Sequence, residues 1–531
     1  MSDTARSRWE NLQTYRSIYL RRAIDCSQLT IPSLIPESDQ YWGWTGQPYN
    51  KLKSLYQGAG ARGVNGLSAK LLLALYPPSQ PFFRLVMDKS KLEPYLAQAE
   101  DSQEAYSKLD QQLAKMERQM LAKLDQLQAR PALFEAVKHL VTGGNALVYL
   151  GADSIRMYSL RSYVVDRDPE GNVTEIVLRE QVARQYLPSG VVPQDDGSDD
   201  APVDIYTWVQ IDPDNDRVEW HQEYDGKKIA NTQGFSKVAS SPWLPLRLHR
   251  IAGESYGRSV VEECIGDLQS LESLSQAIVE GSLIAAKALF LVNPNGTTRA
   301  DLLAKSENGA IVAGNAADVE ALQVQKGADF ATALQTMQLL EKRLNFTFLN
   351  NEATTRDAER VTAEEIRLMA EQLEQGLGGI YSILAHELQL PLIRRILHIM
   401  SVEGEMPALP DGLVEPQITT GLEAIGRGND KARLTNFLQV VGATLGPEQF
   451  LQYINPTELI RRFASSDGID IAGLVKSEQE LQAEQAQQQK LMLEQQLTDG
   501  AIRNGATTPP EPQPQAQGRG ATTPTPIAAA A

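Results

Sequence analysis

SVVEECIGDLQSLESLSQAIVEGSLIAAKALFL (residues 259–291) and ADFATALQTMQLLEKRLNFTFL (residues 328–349) are the two segments that decide the fold. In both, apolar residues recur at intervals of three or four, the period of an amphipathic helix. The first helix would reach about 50 Å at about 1.5 Å per residue. Only a loop-rich insertion, residues 293–327, separates the two segments, so the pattern predicts an extended αα pair with a small module at its tip. The apolar positions are Val261, Cys264, Ile265, Leu268, Leu271, Leu274, Ile278 and Leu283, then Phe330, Leu334, Met337, Leu340, Leu344 and Phe348.

A polar loop and a second kind of helix follow the pair. Residues 350–361 are polar and show no periodicity, and Thr362 with Glu365 then gives the spacing of a capping box. We predict a helix from there to about Met400. Pro391 should kink it, because proline removes a backbone donor and clashes with the preceding turn. Residues 477–531, rich first in Gln and Glu and then in Pro, are predicted to be largely disordered.

An antiparallel sheet precedes the pair. Six short alternating runs lie between Asn145 and Ile251 and are separated by turn sequences such as DPEGN. Upstream, apolar residues at helical spacing predict one long amphipathic helix. The predicted fold class is therefore mainly α with an antiparallel β module (α+β). The upstream stripe comprises Leu109, Leu113, Met116, Met120, Leu124 and Leu127.

Composition limits the functions that remain. With 531 residues, 42% of them hydrophobic, the chain can form about three or four domains around a sizeable core. Its 50 Lys and Arg against 67 Asp and Glu give a net charge of −17, which argues against a surface that binds phosphate all over. Cys26 and Cys264 lie far apart without a CxxC motif, as in a reducing compartment. We expect a soluble chain made in the cytoplasm, with no signal peptide and no membrane contact.

Nucleotide and zinc motifs are incomplete. Gly58–Gly63 spells GxGxxG, but the residues before it are polar rather than an apolar strand, so we interpret these glycines as allowing close helix packing. No P-loop is present. His386 begins an HExxH pattern that has Leu390 in place of the second ligand, so we predict a helix-surface histidine and no cofactor.

One acidic stretch has the spacing of a calcium loop. Asp212, Asp214, Asp216 and Glu223 occupy the first, third, fifth and twelfth positions, but Arg217 stands where the loop requires glycine. A solvated hairpin turn explains these residues better than a metal site.

The GESYG sequence at Gly253–Gly257 is the sharpest enzymatic signal. It matches GxSxG, with Ser255 as the nucleophile of a serine hydrolase and His386 and His398 downstream in the required order. Against this hypothesis, the flanking sheet is predicted to be antiparallel, whereas an α/β-hydrolase needs parallel βα units.

Several longer motifs follow one another in the same order as in a known family, over about residues 9–470. Through these motifs the sequence resembles the portal, or head-to-tail connector, proteins of short-tailed podophages of the autographivirus type. The motifs are IPSLIP (31–36), GARGVNGLSAKLLLALYPP (60–78), VTGGNALVYL (141–150), RSYVVDRDPEGNV (161–173), GESYGRS (253–259), LVNPNG (291–296), RVTAEEIR (360–367), LGGIYSILAHELQLPLIR (377–394) and TGLEAIGRG (420–428).

The resemblance implies a viral portal fold assembled as a ring. The parts of such a subunit would be a wing with the sheet (1–257), stem helix 1 (258–292), a clip (293–327), stem helix 2 (328–349), a tunnel loop (350–361), a kinked wing helix (362–400), a crown (401–476) and a tail (477–531). GESYG would then be the junction between wing and stem, and Ser255 would have no chemical role.

The resemblance also implies a function and partners. The ring, usually dodecameric, would sit at one vertex of the virion capsid, pass double-stranded DNA inwards and outwards without sequence preference, and nucleate head assembly. Its partners would be the major capsid protein, the scaffolding protein, the large terminase subunit, the tail adaptor and internal core proteins. No enzymatic activity is implied.

Three sets of site residues follow from the same resemblance. Tunnel-loop contacts to DNA would come from Asn351, Arg356 and Arg360, stem lining from Glu280 and Lys287, and clip contacts from Asn293, Lys305 and Lys326. The two arginines have an equally good reading as solvated ion pairs with Asp357 and Glu359. The first stem helix has five acids and one lysine, so a channel face there would repel phosphate. The acids are Glu262, Glu263, Asp267, Glu272 and Glu280, and the lysine is Lys287.

Three hypotheses therefore stand. Two long amphipathic stripes cannot both be covered by one chain, which favours a closed ring of copies around a channel. A cytoplasmic serine hydrolase using Ser255 would be a monomer or dimer. A scaffold-type assembly protein would form rings or filaments without a hole as wide as DNA.

Overall fold

The computed structural model describes residues 4–37, 52–77, 81–87, 102–188, 191, 202–285, 289–307, 310–322, 327–350, 379–405, 414–418, 435, 437–444 and 459. Two compact units span residues 1–426 and 427–531, and the described residues of the second are helical. The helices of the first are α1 (Ala5–Gln28), α2 (Ala59–Leu75), α3 (Ser102–Gln126), α4 (Ala129–Gly143), α5 (Val260–Glu263), α6 (Ile265–Ala285), α7 (Ala300–Lys305), α8 (Gly327–Thr347), α9 (Ile380–Leu384) and α10 (Leu390–Val402). Its strands are β1 (Phe83–Met87), β2 (Asn145–Leu150), β3 (Ile155–Ser159), β4 (Tyr163–Arg167), β5 (Val173–Ala183), β6 (Pro202–Asp212), β7 (Arg217–Tyr224), β8 (Lys227–Lys228), β9 (Gly234–Ser236), β10 (Trp243–Arg247), β11 (Leu289–Val292), β12 (Val319–Leu322) and β13 (Val414–Ile418).

The predicted antiparallel module is confirmed, and it consists of two sheets. One has the order β10-β2-β3, and the other has the order β4-β5-β6-β7-β8 with β9 also paired to β7. Every strand pair in both sheets is antiparallel. The short strand β3 was missed by the sequence pattern, because its residues alternate only weakly between buried and exposed. Together with the helices, these sheets confirm the predicted α+β class.

The largest apolar core lies among the helices α2, α3, α4 and α10. The predicted stripe of α3 is confirmed there, since Leu113, Met116, Met120 and Leu124 are at most 6% exposed. Ser90 and Glu93, whose capping-box spacing predicts the start of this helix, lie outside the described residues.

The GxGxxG sequence is a helix-packing surface, as predicted. It begins α2, with Gly58 as the N-cap, and the described residues 52–57 directly before it do not form a strand. A Cβ atom on Gly60 would lie 2.6 Å from the carbonyl oxygen of Leu29, and one on Gly63 would lie 2.3 Å from the ring of Phe348. Only glycine therefore lets α2 approach the end of α8 this closely.

The interruption predicted near Pro391 is a π-helical turn, Ala385–Gln389, between α9 and α10. Leu390 N–H donates to the carbonyl of Ala385, five residues earlier. Pro391 has no N–H to donate to the carbonyl of Glu387, which permits the wider turn. Residues 362–378 of the predicted helix lie outside the described residues.

The spacing of buried residues explains why a π-turn is needed. Ile380, Leu384, Leu388, Leu392 and Ile396 are all buried and follow one another at intervals of four. In a regular α-helix each such step drifts by about 40°, so the last would lie about 160° from the first. One extra residue in the turn reverses about 100° of that drift. The π-turn therefore keeps one apolar face on the core.

Candidate functional site

The first helix of the predicted pair is shorter and less regular than expected. It consists of α5 and α6, with a break at Cys264 (φ −112°, ψ 15°), and it ends at Ala285. The prediction of a helix to residue 291 is wrong, because Leu289–Val292 forms β11 and pairs antiparallel with β12. The apolar run LFLV suits a strand as well as a helix, and the presence of a partner strand decides between them. The second helix, α8, lies within two residues of its prediction.

Helices α6 and α8 run in opposite directions, as predicted. Asp267 near the start of α6 forms an ion pair with Arg343 near the end of α8, at 3.0 Å. Near the other end of α6, Gly281 faces the ring of Phe330, where a Cβ atom would approach to 2.8 Å. The pair is therefore a helical hairpin closed by the module between residues 293 and 327.

The base of this hairpin is covered by its own chain. Leu268 and Leu271 on α6 are fully buried, and Leu344 and Phe348 at the end of α8 are 1% exposed. All four belong to the large core. The expectation that both stripes need neighbouring copies along their whole length is therefore wrong for this half, because the body of the chain already covers it.

Large apolar side chains of the hairpin are also exposed to solvent, toward the tip on both helices and, at Phe346, beside the packed base. Leu283 is 62% exposed and Leu334 is 51% exposed, and both belong to the predicted stripes. Three further residues, Val279, Leu339 and Phe346, are 44%, 59% and 73% exposed. Exposed apolar side chains clustered on one element are typical of interaction surfaces.

Most acids of the first helix are used within the chain. The carboxylate of Glu272, 8% exposed, accepts hydrogen bonds from Tyr56 N–H and Gln57 N–H at 3.1–3.2 Å. Glu262 pairs with Arg258 at 2.7 Å, and Asp267 pairs with Arg343. Three of the five acids counted on this helix therefore have partners within the chain, and the prediction that an acidic face lines a channel remains a prediction.

The module at the tip is organised around Asp318. Its carboxylate accepts the backbone N–H groups of Thr297 and Thr298 at 2.8 and 3.1 Å, together with both hydroxyl groups. These backbone bonds lower the pKa of Asp318. Gly296 is required beside it, since a Cβ atom there would lie 2.4 Å from the carboxylate carbon. Asp318 therefore ties β12 to the turn that follows β11.

The structure places three of the eight predicted site residues. Asn293 is in the module, where its N–H donates to the Asp318 carbonyl and its Oδ1 accepts from Asn295 N–H. Lys305 is the last residue of α7 and is exposed. Glu280 is exposed on α6 and accepts from the side-chain amide of Gln276 at 2.8 Å. The other five lie outside the described residues: Lys287, Lys326, Asn351, Arg356 and Arg360.

The GESYG sequence is a structural junction. The carbonyl of Ser255 accepts from the Arg167 guanidinium at 3.1 Å, and the Tyr256 hydroxyl accepts from Val165 N–H at 3.0 Å. Gly257 exchanges two hydrogen bonds with the Asn145 side chain, through its N–H and its carbonyl. The strand before the motif, β10, pairs antiparallel with β2, so the hydrolase hypothesis is wrong in its topology.

The residues of the calcium-loop pattern and of the HExxH pattern have structural roles. Asp212 caps the β6–β7 hairpin by accepting from Asn215, whereas Glu223 is buried and binds Ala5 N–H and His221. These two carboxylates therefore serve different parts of the fold. His386 is exposed in the π-turn, as predicted. Within the described ranges, no group of three His, Cys, Asp or Glu side chains is placed to hold a metal ion.

An anchor at the end of α8 was not foreseen from the sequence. The Lys70 ammonium group on α2 donates to the carbonyl of Leu349, which has φ +54°. Burial lowers the pKa of Lys70. Asn350 lies against Gly66, where a Cβ atom would approach its Oδ1 to 2.6 Å. The chain therefore leaves the hairpin at a fixed point, toward the residues predicted to form a loop.

A model of the bacteriophage head to tail connecting protein family matches residues 2–474. The chain belongs to this family. Its fold is thus that of a connector, and the resemblance inferred from the sequence motifs is confirmed.

Portal proteins of several phages are similar to this connector over nearly their whole length. That of Escherichia phage T7 is 39% identical over 501 residues, covering 92% of this chain and 91% of the relative. That of Enterobacteria phage SP6 is 30% identical over 506 residues, covering 93% and 94%. That of Pseudomonas phage phiKMV is 31% identical over 525 residues, covering 96% and 98%.

A chain in the neck of a gene transfer agent particle also resembles this connector, with a TM-score of 0.37 and 11% identity over 84% of this chain and 94% of that chain.

Among the helices in the described part of the connector, none combines the length and apolar character that a membrane span requires.

Proposed function

We propose that this connector is a phage portal protein. Copies of it would form a ring at one capsid vertex, and double-stranded DNA would pass through the ring during packaging and ejection. The function is structural rather than enzymatic. The proposal is supported by membership of the connector family and by four portal proteins that are 30–39% identical over at least 91% of this chain.

The exposed large apolar side chains of the helical hairpin are the single observation that carries ring formation. Leu283, Leu334, Leu339 and Phe346 are each more than half exposed on a hairpin whose base is already packed. Exposing hydrocarbon of this size to water is unfavourable, at roughly 25 cal/mol per Å². Copies of the same chain arranged around an axis would cover these side chains and leave a central hole.

The parts of the subunit and their partners follow in this proposal. Residues 1–257 and 362–400 would be the wing, the α6–α8 hairpin the stem and residues 293–327 the clip. The clip would face the terminase motor and later the tail adaptor. The opposite end would face the capsid interior, the scaffolding protein and internal core proteins. The dodecameric ring and the stay in the host cytoplasm before assembly belong to the same proposal.

The proposed contacts with DNA include residues from the tunnel loop, the stem and the clip. Asn351, Arg356 and Arg360 would contact DNA from the loop, and Lys287 from the stem. Lys305 and Lys326 would act in the clip, where Asn293 shapes the turn. These contacts would be non-specific, because lysine and arginine bind the phosphate backbone without reading the bases.

Light scattering of the purified protein tests the proposal. A particle of more than ten chains is expected, since one chain has a mass of 58.5 kDa. Phe346→Asp with Leu339→Asp should shift the protein to monomers. The matched control is Asn345→Asp, also exposed on α8, which should assemble normally. A wild-type monomer at all concentrations would refute the proposal.

A further inference from the structure

The module at the tip of the hairpin has almost no core of its own. This tip module comprises β11, α7, β12 and the turns between them, within residues 289–307 and 310–322 of the described chain. Among the side chains described there, only that of Thr298 is buried, at 8% exposed. Every apolar side chain described in the module is at least partly exposed. Burial of apolar surface, the dominant favourable contribution to most folds, is therefore nearly missing here.

Three large apolar side chains of the tip module lie in solvent. Leu291 on β11 is 52% exposed, Leu302 on α7 is 49% exposed, and Ile311 between α7 and β12 is fully exposed. A single exposed apolar residue on a folded surface is normal. Three of them on a module without a core leave most of its hydrocarbon in water, which is typical of a surface that another protein covers.

Exposed or half-buried hydrogen bonds hold the tip module in its folded form. Asp318 accepts from the N–H groups of Thr297 and Thr298, and Asn293 N–H donates to the Asp318 carbonyl. Thr298 and Asn315 exchange two more bonds, at 2.8 and 3.1 Å. Each such bond adds little net stability, because water competes for the same groups. A two-stranded hairpin by itself is also marginally stable. The module therefore needs a further surface to stay folded.

Copies of the same module are the surface that fits the position of these side chains. The exposed apolar residues continue from α6 into the module, since Leu283 lies two residues before α6 ends and Leu291 lies in the next strand. Copies arranged around an axis so that Leu283 is covered would bring their tip modules side by side. Among the described residues, β11 and β12 form a sheet of two strands, so each strand also has an open edge facing outward.

We infer that the tip module is ordered only where copies of this chain lie side by side, and that Leu291, Leu302 and Ile311 supply the contacts between modules. The inference rests on the proposed portal function and adds an order of events to it. In a free subunit the module fluctuates, because ordering it is not offset by apolar burial. The ring therefore creates the docking surface at this end, and a protein that recognises the ordered module binds rings rather than free subunits.

Hydrogen exchange of the full-length protein, followed by mass spectrometry, tests this order of events. Wild-type rings are compared with the variant Phe346→Asp with Leu339→Asp, whose changes lie on α8, outside the module. Peptides from β11 and β12 should exchange about tenfold faster or more in the monomeric variant. Peptides from β5 and β6 should exchange equally in both, which shows that the body is folded. Equal protection of the module in monomers and rings would overturn the inference, as would equally fast exchange in both.

A second variant tests the contact surface within rings. Leu302→Asp with Ile311→Asp places two charges on the exposed apolar positions, and β11 and β12 should then exchange about tenfold faster or more in its rings than in wild-type rings. The matched control is Asn295→Asp with Ala316→Asp, two exposed positions of the same module, which should match wild type. Wild-type protection in rings of the Leu302 and Ile311 variant would overturn the inference. If that variant does not assemble, the comparison of rings with monomers decides.

The outcome for the tip module is separable from that for the proposed function. If the wild-type protein forms rings but its module is equally protected in monomers, only the inference about the module falls. If the wild-type protein forms no ring, both fall.

Discussion

Arg247 and Glu387 join the sheet to the π-turn. The Glu387 carboxylate accepts hydrogen bonds from the Arg247 backbone N–H and from its Nε, both at 2.9 Å, and from a terminal guanidinium nitrogen. Arg247 is 3% exposed. Nearby, the Gln389 amide donates to the Leu75 carbonyl at 2.8 Å, which binds the same turn to the end of α2. The π-turn is thus fixed to two separate elements.

Glu387→Ala should strongly destabilise the subunit, because it leaves the buried Arg247 guanidinium without its partner. The expected loss is about 3–5 kcal/mol of unfolding free energy. Urea denaturation followed by tryptophan fluorescence measures it. The double variant Arg247→Met with Glu387→Ala should recover most of the loss, since it removes both charges. A single variant as stable as wild type would contradict the role of this pair.

The length of the π-turn gives a second prediction. Deleting His386 removes one residue from an exposed position and should convert the turn to α-helix while keeping both apolar faces on the core. Inserting one alanine at the same place should rotate α9 by about a further 100° and expose Ile380 and Leu384. The deletion should therefore give a higher melting temperature than the insertion. If the deletion variant melted at a lower temperature than the insertion variant, the claim that the π-turn keeps both apolar faces on the core would be contradicted.

Close packing of α2 on α8 depends on Gly63. Gly63→Ala should cost about 1–3 kcal/mol, because the new Cβ would overlap the Phe348 ring. Gly266→Ala on α6 is the matched control, since nothing lies within 4 Å of a Cβ there. That control should be stabilised by about 0.5–1 kcal/mol, the usual gain of alanine over glycine in a helix. Equal effects in thermal denaturation would show that the close approach does not matter.

Glu272 holds the chain that leads into α2. Glu272→Ala should cost about 1–3 kcal/mol, because it leaves the backbone N–H groups of Tyr56 and of the buried Gln57 without an acceptor. Glu280→Ala, which removes an exposed acid from the same helix, should change stability by less than about 0.5 kcal/mol. Chemical denaturation of the two variants measures the difference. Equal losses in the two variants would contradict the role assigned to Glu272.

The turn at Asp318 should loosen in acid. The folded-state pKa of Asp318 is lowered, because its carboxylate accepts the N–H groups of Thr298 and Thr297. A lowered pKa means that the stabilisation is present above the unfolded pKa and is lost as pH falls through the folded pKa. Hydrogen exchange of Thr297 and Thr298, corrected for intrinsic rates, should show protection that falls over this acidic range. Asp318→Asn should remove the dependence, and an unchanged profile in that variant would contradict the assignment.

Periodicity predicted the elements well and their limits less well. The stripe of α3 and the two segments of the hairpin follow from apolar spacing alone, because those residues are buried on one side. The change from helix to strand at Leu289 could not be predicted, since it depends on pairing with Val319–Leu322 across an insertion. The sequence analysis predicted only a kink at Pro391. The four-residue spacing of apolar residues from Ile380 to Ile396 also indicates a π-turn, because a regular α-helix would not keep these residues on one face.

The candidate site was predicted less completely than the fold. Counting charges on the first stem helix gave an acidic face, but charge counts do not show that Glu272 and Asp267 have partners elsewhere in the chain. The anchor of Lys70 on Leu349 joins residues that are 279 positions apart, and no local pattern indicates such a contact.

Electron micrographs of the purified, full-length protein test the central claim most directly. The account predicts rings with a central hole wide enough for duplex DNA to pass. Solid particles, filaments without a hole, or single compact chains at every protein concentration would contradict it.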